Sequence, residues 1–152
     1  MDTFTCKICG HIAFDQAPVD CPVCGIAIEN FESDPEAIRK PADPDSLSDF
    51  EKKHIPQITL SRQCTLIPGS SCLDVNVKVG EDEHVMESEH YIPFIDFYIN
   101  RKFISRVVLT YKNMHPAARL HLNTDSGRLR AIAKCNLHGY WTKKITLHEE
   151  QG

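Results

Sequence analysis

Four cysteines within the first 24 residues constrain the fold of this 152-residue chain more than any other feature of its sequence. They form two C-x-x-C pairs, Cys6 with Cys9 and Cys21 with Cys24, and a glycine follows each pair. The spacing lets two neighbouring thiolates reach one ion, and the glycine allows the tight turn that brings backbone N–H groups towards sulfur. We therefore expect all four cysteines to bind one metal ion; unpaired or disulfide-linked cysteines are the alternative.

The segment that carries these cysteines is too short to fold through apolar packing alone. About 30 residues bury too little surface for an independent hydrophobic core, so we expect metal binding to drive its folding. A tetrahedral set of four sulfurs suits either Zn²⁺ or a single iron ion. Iron would make the segment an electron carrier, whereas zinc would make it a structural clip, and the spacing leaves that choice open.

This first segment, residues 1–31, resembles the rubredoxin-like module of rubredoxins and rubrerythrins. The resemblance is closest in the half that runs Cys21-Pro-Val-Cys24-Gly25. His11 follows the first cysteine pair at a place where rubredoxins often carry an aromatic residue. The sequence departs from the family there, and the identity of the metal, iron or zinc, stays open.

Charge divides the chain into two unlike parts. Residues 1–50 carry three Lys/Arg and ten Asp/Glu, a balance of −7, whereas residues 51–152 carry fourteen and eleven, a balance of +3, which together make the net −4. The acidic first part argues against nucleic acid as a partner. Residues 32–50 hold three prolines and many acids, which predicts an extended linker with a short helical turn at residues 35–38.

Residues 51–152 carry the hydrophobic pattern of a β-domain. Alternation with a period of two predicts strands at residues 73–79, 95–99 and 107–111, and shorter strands at 120–122, 129–135 and 145–147. Turn signals stand between them at Pro68-Gly69, Asn100-Arg101, His115-Pro116 and Asp125-Ser126-Gly127. Several short strands at this spacing predict a β-sandwich, so the whole chain is expected to be mainly β.

A second group of metal-binding residue types lies in this β-domain. It comprises the C-x-x-H motif of Cys135 and His138, the pair His84 and His90, and His54 further upstream. A lone histidine is more often a surface residue than a ligand, so the hypothesis depends on the three segments occurring together. Imidazole suits several transition metals, and a single thiolate adds the electron-rich character that iron uses.

Together the three segments resemble the catalytic domain of the superoxide reductases, the desulfoferrodoxin and neelaredoxin family, over residues 51–144. The resemblance implies an immunoglobulin-like sandwich of seven strands and a mononuclear non-haem iron that reduces superoxide to hydrogen peroxide. It also implies a reduced rubredoxin-like electron donor and a homodimer or homotetramer. The implied iron ligands are four equatorial histidines and an axial cysteine, below an open sixth position: His54, His84, His90, His138 and Cys135.

The family carries a Glu-Lys-His triplet that ends at its first histidine ligand. Lys53 matches the lysine of that triplet, which implies that it attracts the superoxide anion. Lys52 stands at the place of the glutamate that caps the oxidised iron in many members, and Glu51 lies one position earlier. Either Glu51 reaches the metal along another path, or the oxidised iron keeps a water or an open position; we favour the second.

The sequence predicts a cytoplasmic protein. It has no apolar run near the roughly 20 residues that cross a bilayer, and its first residues lack the pattern of a signal peptide. In a reducing compartment we expect Cys64 and Cys72 to be free, although a disulfide across a hairpin is the alternative. We expect His115, His121 and His148 to be solvated or structural, Glu89 to orient an imidazole or to be exposed, and Trp141 and Tyr91 to pack around the iron.

Two other functions remain open at this point. One is a binding module, a zinc ribbon on a sandwich that recognises nucleic acid or protein, and the other is a non-catalytic iron protein that only transfers electrons. The charge of −7 on residues 1–50 disfavours nucleic acid. The binding module also leaves the ordered set of histidines and a cysteine unexplained.

Overall fold

The fold is known from a computed structural model, which describes residues 2–62, 66–67, 72–124 and 126–147. Its elements are β1 (Thr3–Cys6), β2 (Ile12–Phe14), a 3₁₀ turn (Ile28–Asn30), β3 (Phe31–Ser33), β4 (Ile38–Arg39), α1 (Asp49–Lys52), β5 (Pro56–Ser61), β6 (Leu73–Val79), β7 (Phe94–Ile99), β8 (Lys102–Val108), β9 (Ala117–Leu122), β10 (Arg128–Cys135) and β11 (Gly139–Thr146). None of the helices in these residues is long and apolar enough to cross a membrane.

Residues 2–33, which we call the knuckle module, form a small antiparallel sheet in the order β2-β1-β3. Two loops that each contain a C-x-x-C pair complete the module, one between β1 and β2 and one before the 3₁₀ turn. Few of its residues are buried, as expected for a segment of this size.

The remaining strands form a β-sandwich. A five-stranded sheet, β4-β11-β10-β7-β8, faces a three-stranded sheet, β5-β6-β9. Beyond residue 51 the described chain contributes seven strands to it, so the expected mainly-β fold with a sandwich is confirmed. Alternate residues of the paired sheets point inward and make one apolar core, in which Leu73, Val75, Val77, Val79, Ile95, Phe97, Leu129, Ala131, Ala133 and Cys135 are buried.

Some local expectations were wrong. The strand expected at residues 107–111 ends at Val108, because Leu109 turns inward and donates its N–H to the carbonyl of Pro93. The helical turn expected at residues 35–38 is a tight turn followed by β4, which pairs in parallel with β11. The helix lies later, at α1, where Ser48 and Glu51 form a reciprocal capping box.

The knuckle module packs on the outer face of the five-stranded sheet. A second apolar cluster forms there from both parts: Ile12, Phe14, Phe94, Tyr98, Ile132 and Tyr140. Beneath it a buried ion pair joins Arg106 to Asp96, with distances of 2.6 and 2.9 Å. Arg106 also donates to the carbonyl of Cys9 at 2.8 Å. The sandwich therefore supports the loop that holds the first cysteine pair.

Candidate metal centres

The first candidate centre, which we call the four-cysteine site, consists of Cys6, Cys9, Cys21 and Cys24, whose sulfur atoms all lie within 4.8 Å of one another. All four cysteines are free. Sulfur–sulfur distances of 3.7 Å for Cys6 to Cys24 and 3.6 Å for Cys9 to Cys21 match the edge of about 3.8 Å expected for a tetrahedron with metal–sulfur bonds of about 2.3 Å. The described thiols therefore fit one tetrahedral ion.

The two C-x-x-C loops have the same backbone structure. In the first, the N–H of Gly10 donates to the carbonyl of Cys6 at 3.0 Å, and in the second Gly25 donates to Cys21 at 2.9 Å. Both glycines have φ near +80°, at +79° and +81°, a conformation that L side chains rarely adopt. The N–H of Cys9 also points at the sulfur of Cys6, 3.5 Å away. The glycine after each pair is thus explained by local geometry.

Four histidines of the β-domain form a square at one end of the sandwich. Neighbouring ring centroids lie 4.6 to 5.1 Å apart, and neighbouring ring planes are inclined by 78 to 88°. One diagonal, between His54 and His90, measures 6.2 Å. In order around the square the corners are His54, His84, His90 and His138. Such a ring of imidazoles is the arrangement of four equatorial ligands.

A fifth donor, Cys135, stands beside the square. Its sulfur lies 3.7 Å from Nδ1 of His138, and the side chain is fully buried. The donor atoms of His54, His90, His138 and Cys135 lie within 4.8 Å of one another, and His84 completes the square next to His54 and His90. We call these four histidines and the cysteine the five-donor site; they are the five predicted from the sequence, and the structure brings them together.

The ring nitrogens of these histidines are prepared for a metal. Nδ1 of His54 lies 2.7 Å from the carbonyl of Phe50, and Nδ1 of His84 lies 2.7 Å from the carbonyl of Val85. Because a carbonyl only accepts, both Nδ1 atoms carry the proton and both Nε2 atoms have a free lone pair. Nε2 of His54, His84 and His90 is buried without a hydrogen-bond partner among the described residues. Buried nitrogens of this kind need a partner, and a bound metal ion would supply it.

Burial also keeps the imidazoles neutral. It lowers the pKa of His84 to about 4, and it lowers the pKa of His54 and of His90, with the neighbouring histidines as a further cause in each case. Neutral imidazole is the form that binds metal, so this part of the site carries lone pairs and no charge at neutral pH.

The turn between β10 and β11 positions two of the five donors. Cys135 ends β10 and pairs with Gly139, which begins β11 with φ +82°, and His138 lies between them. The side chain of Asn136 accepts from the N–H of Tyr91 at 2.9 Å and donates to the carbonyl of Glu89 at 3.1 Å. Asn136 thus ties the turn to the chain on both sides of His90. Sequence reasoning missed this role, although Asn136 lies inside the C-x-x-H motif.

Aromatic side chains cover the square on the His54 side. The ring of Phe50 lies 4.4 Å from that of His54 and 4.8 Å from that of His138, and Trp141 lies 5.0 Å from His54. Trp141 also donates its indole N–H to the carbonyl of His138 at 3.1 Å. Trp141 was expected to pack here, whereas Phe50 was not singled out in the sequence.

The residues before His54 are placed as follows. Lys53 is exposed and follows α1, next to the site. The carboxylate of Glu51 accepts from the N–H groups of Ser48 at 2.8 Å and Ala42 at 3.2 Å, and the bond from Ser48 is the main cause that lowers its pKa. Glu51 is therefore engaged in capping α1 and not directed to the histidines.

The remaining residues considered in the sequence lie outside the donor set. Glu89 is exposed, Tyr91 packs edge-to-face against Tyr111, and His115 is exposed beside Glu83. His121 lies 3.7 Å from the sulfur of Cys72. Cys72 directly precedes β6 and is disulfide-bonded, so the expectation of a free thiol was wrong there. Cys64 and His148 lie outside the described residues.

Comparison with known proteins identifies the family. The profile of the desulfoferrodoxin family matches residues 46–144, well over half of the chain. The chain belongs to the desulfoferrodoxin family. The profile of the rubredoxin-like domain of rubrerythrin matches residues 4–32, the part that carries the four-cysteine site.

Relatives of this family are similar along the β-domain. A desulfoferrodoxin of Clostridium acetobutylicum is 33% identical over 95 residues, which cover 62% of this chain and 64% of that protein. A superoxide reductase of Pyrococcus horikoshii is 29% identical over 107 residues, 63% of this chain and 88% of that protein. The solved structure of a superoxide reductase (neelaredoxin) from Ignicoccus hospitalis is 27% identical with a TM-score of 0.59, and the match covers 76% of this chain and 98% of that one.

Proposed function

We propose that this chain is a superoxide reductase that uses the five-donor site as its catalytic iron centre. The observation that carries the proposal is the square of four imidazoles, with three buried Nε2 atoms that lack a partner in the described chain and with a buried thiol beside it. Iron bound there would supply one electron to superoxide, which with two protons becomes hydrogen peroxide. His54, His84, His90, His138 and Cys135 would hold the iron.

The charges of the donor set suit an anionic substrate. Four neutral imidazoles and one thiolate leave a divalent ion with a net charge of +1, which attracts superoxide and leaves a neutral product free to depart. Cys135 is held in the apolar core, and as a thiolate ligand it would supply electron density to a bound iron. If a carboxylate replaced one imidazole, the ion and its donors would have no net positive charge.

Lys53 is the residue proposed to steer the substrate. It is exposed and directly precedes His54 in the chain, so its ammonium group adds positive charge near the site. Glu51 is engaged by Ser48 and Ala42, which supports an oxidised state that keeps a water or an open position. The carboxylate of Glu51 is therefore held by the start of α1 and does not compete with the incoming anion for Lys53.

The finer features of the protein are proposals as well. The four-cysteine site is proposed to hold iron or zinc, since a tetrahedral set of sulfurs suits both. The proposed compartment is the cytoplasm, because reducing conditions keep the donors of both sites, five free cysteines among the described residues, as thiols; the disulfide of Cys72 points the other way. The proposed electron donor is a small rubredoxin-like protein, and the proposed assembly is a homodimer or homotetramer, which sedimentation velocity would measure.

The decisive experiment is to purify the protein without added metal and to measure iron and zinc per chain. The reduced protein is then mixed with superoxide while its visible spectrum and the peroxide formed are followed. We expect about one iron at the five-donor site and one peroxide per iron oxidised. A zinc-only protein would contradict the enzyme proposal, and iron that superoxide does not oxidise would identify a non-catalytic electron carrier.

Two matched pairs of variants assign the roles. Cys135→Ser should abolish the thiolate-to-iron absorption of the five-donor site, whereas Cys9→Ser should change only the signal of the four-cysteine site. Lys53→Ala should slow the reaction with superoxide several-fold and weaken its dependence on ionic strength, whereas Lys52→Ala, its neighbour, should have a smaller effect. Equal rates for Lys53→Ala and the unaltered protein would remove the steering role.

A further inference from the structure

A second concave feature lies at the other end of the sandwich from the five-donor site. It is a pocket of about 310 Å³ lined by Asp15, Asn100, Arg101, Arg128, Arg130 and Lys144. Arg130, the lining residue of β10 nearest to Cys135, is five residues from it, so the pocket and the metal donors are separated by about 17 Å along that strand. We call this feature the basic pocket. It cannot share a ligand with the iron centre.

The basic pocket concentrates positive charge on a chain that is negative as a whole. Four cations line it against a single carboxylate, Asp15, and the full chain has a net charge of −4. Arg101 already contacts both oxygens of Asp15, at 3.2 and 3.3 Å. Among the lining residues, Arg128, Arg130 and Lys144 are therefore left without a carboxylate partner.

The backbone register forces these cations together. Arg130 on β10 and Lys144 on β11 are direct cross-strand partners, and Arg128 follows on the same face of β10 two residues away. Like charges directly opposite each other on neighbouring strands are destabilising. Their effect is visible in the pKa of Lys144, which is lowered first by the charge of Arg130 and then by burial, Arg128, Arg101 and Lys40. The chain has many acidic residues that could neutralise these cations, yet the repulsion between them persists. An anion bound between the cations would relieve the repulsion and explain why it persists.

Contacts around the basic pocket hold its lining residues in fixed positions. The guanidinium of Arg130 stacks over the ring of Phe14 with its carbon 4.9 Å from the ring centroid, so the knuckle module holds this side chain in place. Asn100 accepts from the N–H of Arg128 at 2.9 Å and fixes the start of β10. Preorganised guanidinium groups bind phosphate through paired N–H donors.

We propose that the basic pocket binds a small anion through a diphosphate group. Three cations on two neighbouring strands lack a carboxylate partner among the lining residues and exceed what one phosphate needs, and the volume of about 310 Å³ admits a larger anion. Inorganic pyrophosphate and a nucleoside diphosphate share this chemistry. The site is independent of the iron centre and does not rest on the proposed activity.

Calorimetric titration of the metal-loaded full chain tests the proposal. Sodium pyrophosphate and ADP are titrated separately at low ionic strength, with iron and zinc per chain measured before and after, because both anions also bind free metal. We expect one bound anion per chain. Equal affinity for pyrophosphate and ADP would show that the protein recognises only the diphosphate group. Tighter binding of ADP would show that the ligand is a nucleoside diphosphate.

Two substitutions on one strand separate a built pocket from general charge attraction. Lys144→Met should weaken pyrophosphate binding tenfold or more, because a charge-assisted contact is lost. Lys143→Met removes the same charge from the next position of β11, which is exposed and does not line the pocket, and it should leave the affinity within twofold. Arg130→Met should act like Lys144→Met. Equal weakening by Lys143→Met and Lys144→Met, or no binding at millimolar pyrophosphate, would overturn the proposal.

Discussion

The two metal sites of this chain are built in opposite ways. All donors of the four-cysteine site lie between residues 6 and 24, in two loops whose glycines close the same tight turn. Donors of the five-donor site are spread from residue 54 to residue 138 and come from the ends of strands and from the connections between them. The first site is local in sequence, whereas the second exists only when two sheets have paired.

This difference assigns the metal a different part in each region. The knuckle module has few buried residues of its own, so its stability depends on the ion and on the sandwich beneath it. The sandwich has a continuous apolar core, in which Cys135 is one buried member among many. Metal should therefore be required for folding in the first region and only for function in the second.

Removal of metal is expected to give the largest effect. Chelation under reducing conditions should unfold residues 3–33 while β5 to β11 stay folded, because binding of an ion at a structural thiolate site contributes about 10 kcal/mol or more to folding. Hydrogen–deuterium exchange followed by mass spectrometry measures this directly: amides of β1 and β2 should lose protection, and amides of β6 and β10 should keep it.

The matched control for this prediction is a chain in which only one site is impaired. Cys6→Ser should expose the knuckle module in the presence of metal, whereas Cys135→Ser should leave both regions protected. If amides of β10 lost their protection from hydrogen exchange in the chelated protein, the sandwich would also need its ion to fold. The two regions would then not differ in their need for metal.

A smaller but still large effect is expected at the buried ion pair of β7 and β8 on which the knuckle module packs. The side chains of Arg106 and Asp96 are only 9% and 2% exposed, and Arg106 also holds the carbonyl of Cys9. Arg106→Met should destabilise the docked knuckle module by about 3–5 kcal/mol, because the buried carboxylate of Asp96 loses its guanidinium partner and keeps His11 of the knuckle module, 3.6 Å away, beside it. The free energy of opening, from hydrogen exchange of β1 and β2, measures the loss.

The double variant Arg106→Met with Asp96→Asn serves as the control for this pair. It removes both charges, so it should be less destabilised than Arg106→Met alone. If the double variant is equally destabilised, the contact of Arg106 with the carbonyl of Cys9, and not the ion pair, holds the regions together.

The same contrast explains what could be predicted from the sequence. The four-cysteine site follows from spacing because its geometry is local, and alternation within β6 predicted that strand with its observed bounds. For the five-donor site the donor residues came from motifs and a family resemblance, and their assignment as ligands stays a prediction. The square of histidines and the roles of Phe50 and Asn136 depend on strand pairing and could not be predicted from the sequence. The capping box of Ser48 and Glu51 was readable and was missed.

A moderate effect is expected from the hydroxyl of Tyr140, which donates to the carbonyl of Gly10 at 2.6 Å. Tyr140→Phe removes this hydrogen bond and should destabilise the docked module by about 1 kcal/mol, measured again by hydrogen exchange of β1 and β2. Burial raises the pKa of Tyr140 to about 12, above the value of about 10 for the unfolded chain.

This pKa gives the prediction a second, independent measurement. Since the folded state favours the neutral phenol, the contribution of Tyr140 is complete below pH 10 and is lost as the pH rises from about 10 to about 12. The difference in stability between the unaltered protein and Tyr140→Phe should therefore shrink across that window. A difference that stays constant with pH would mean that docking of the knuckle module does not raise the pKa of Tyr140.

The smallest effect is expected at the exposed ion pair between the same two regions. The side chains of Arg101 and Asp15 are 52% and 55% exposed, so water and salt screen their attraction. Arg101→Ala should change the opening free energy of the knuckle module by only about 0.2–1 kcal/mol, and the change should vanish at high salt. Because Arg101 and Arg106 both join the knuckle module to the β7–β8 hairpin, burial is the main difference between them. If Arg101→Ala lowered the opening free energy as much as Arg106→Met, burial of the contact would not determine how strongly the knuckle module is held. The division between a metal-dependent and a self-sufficient region would then need a different physical basis.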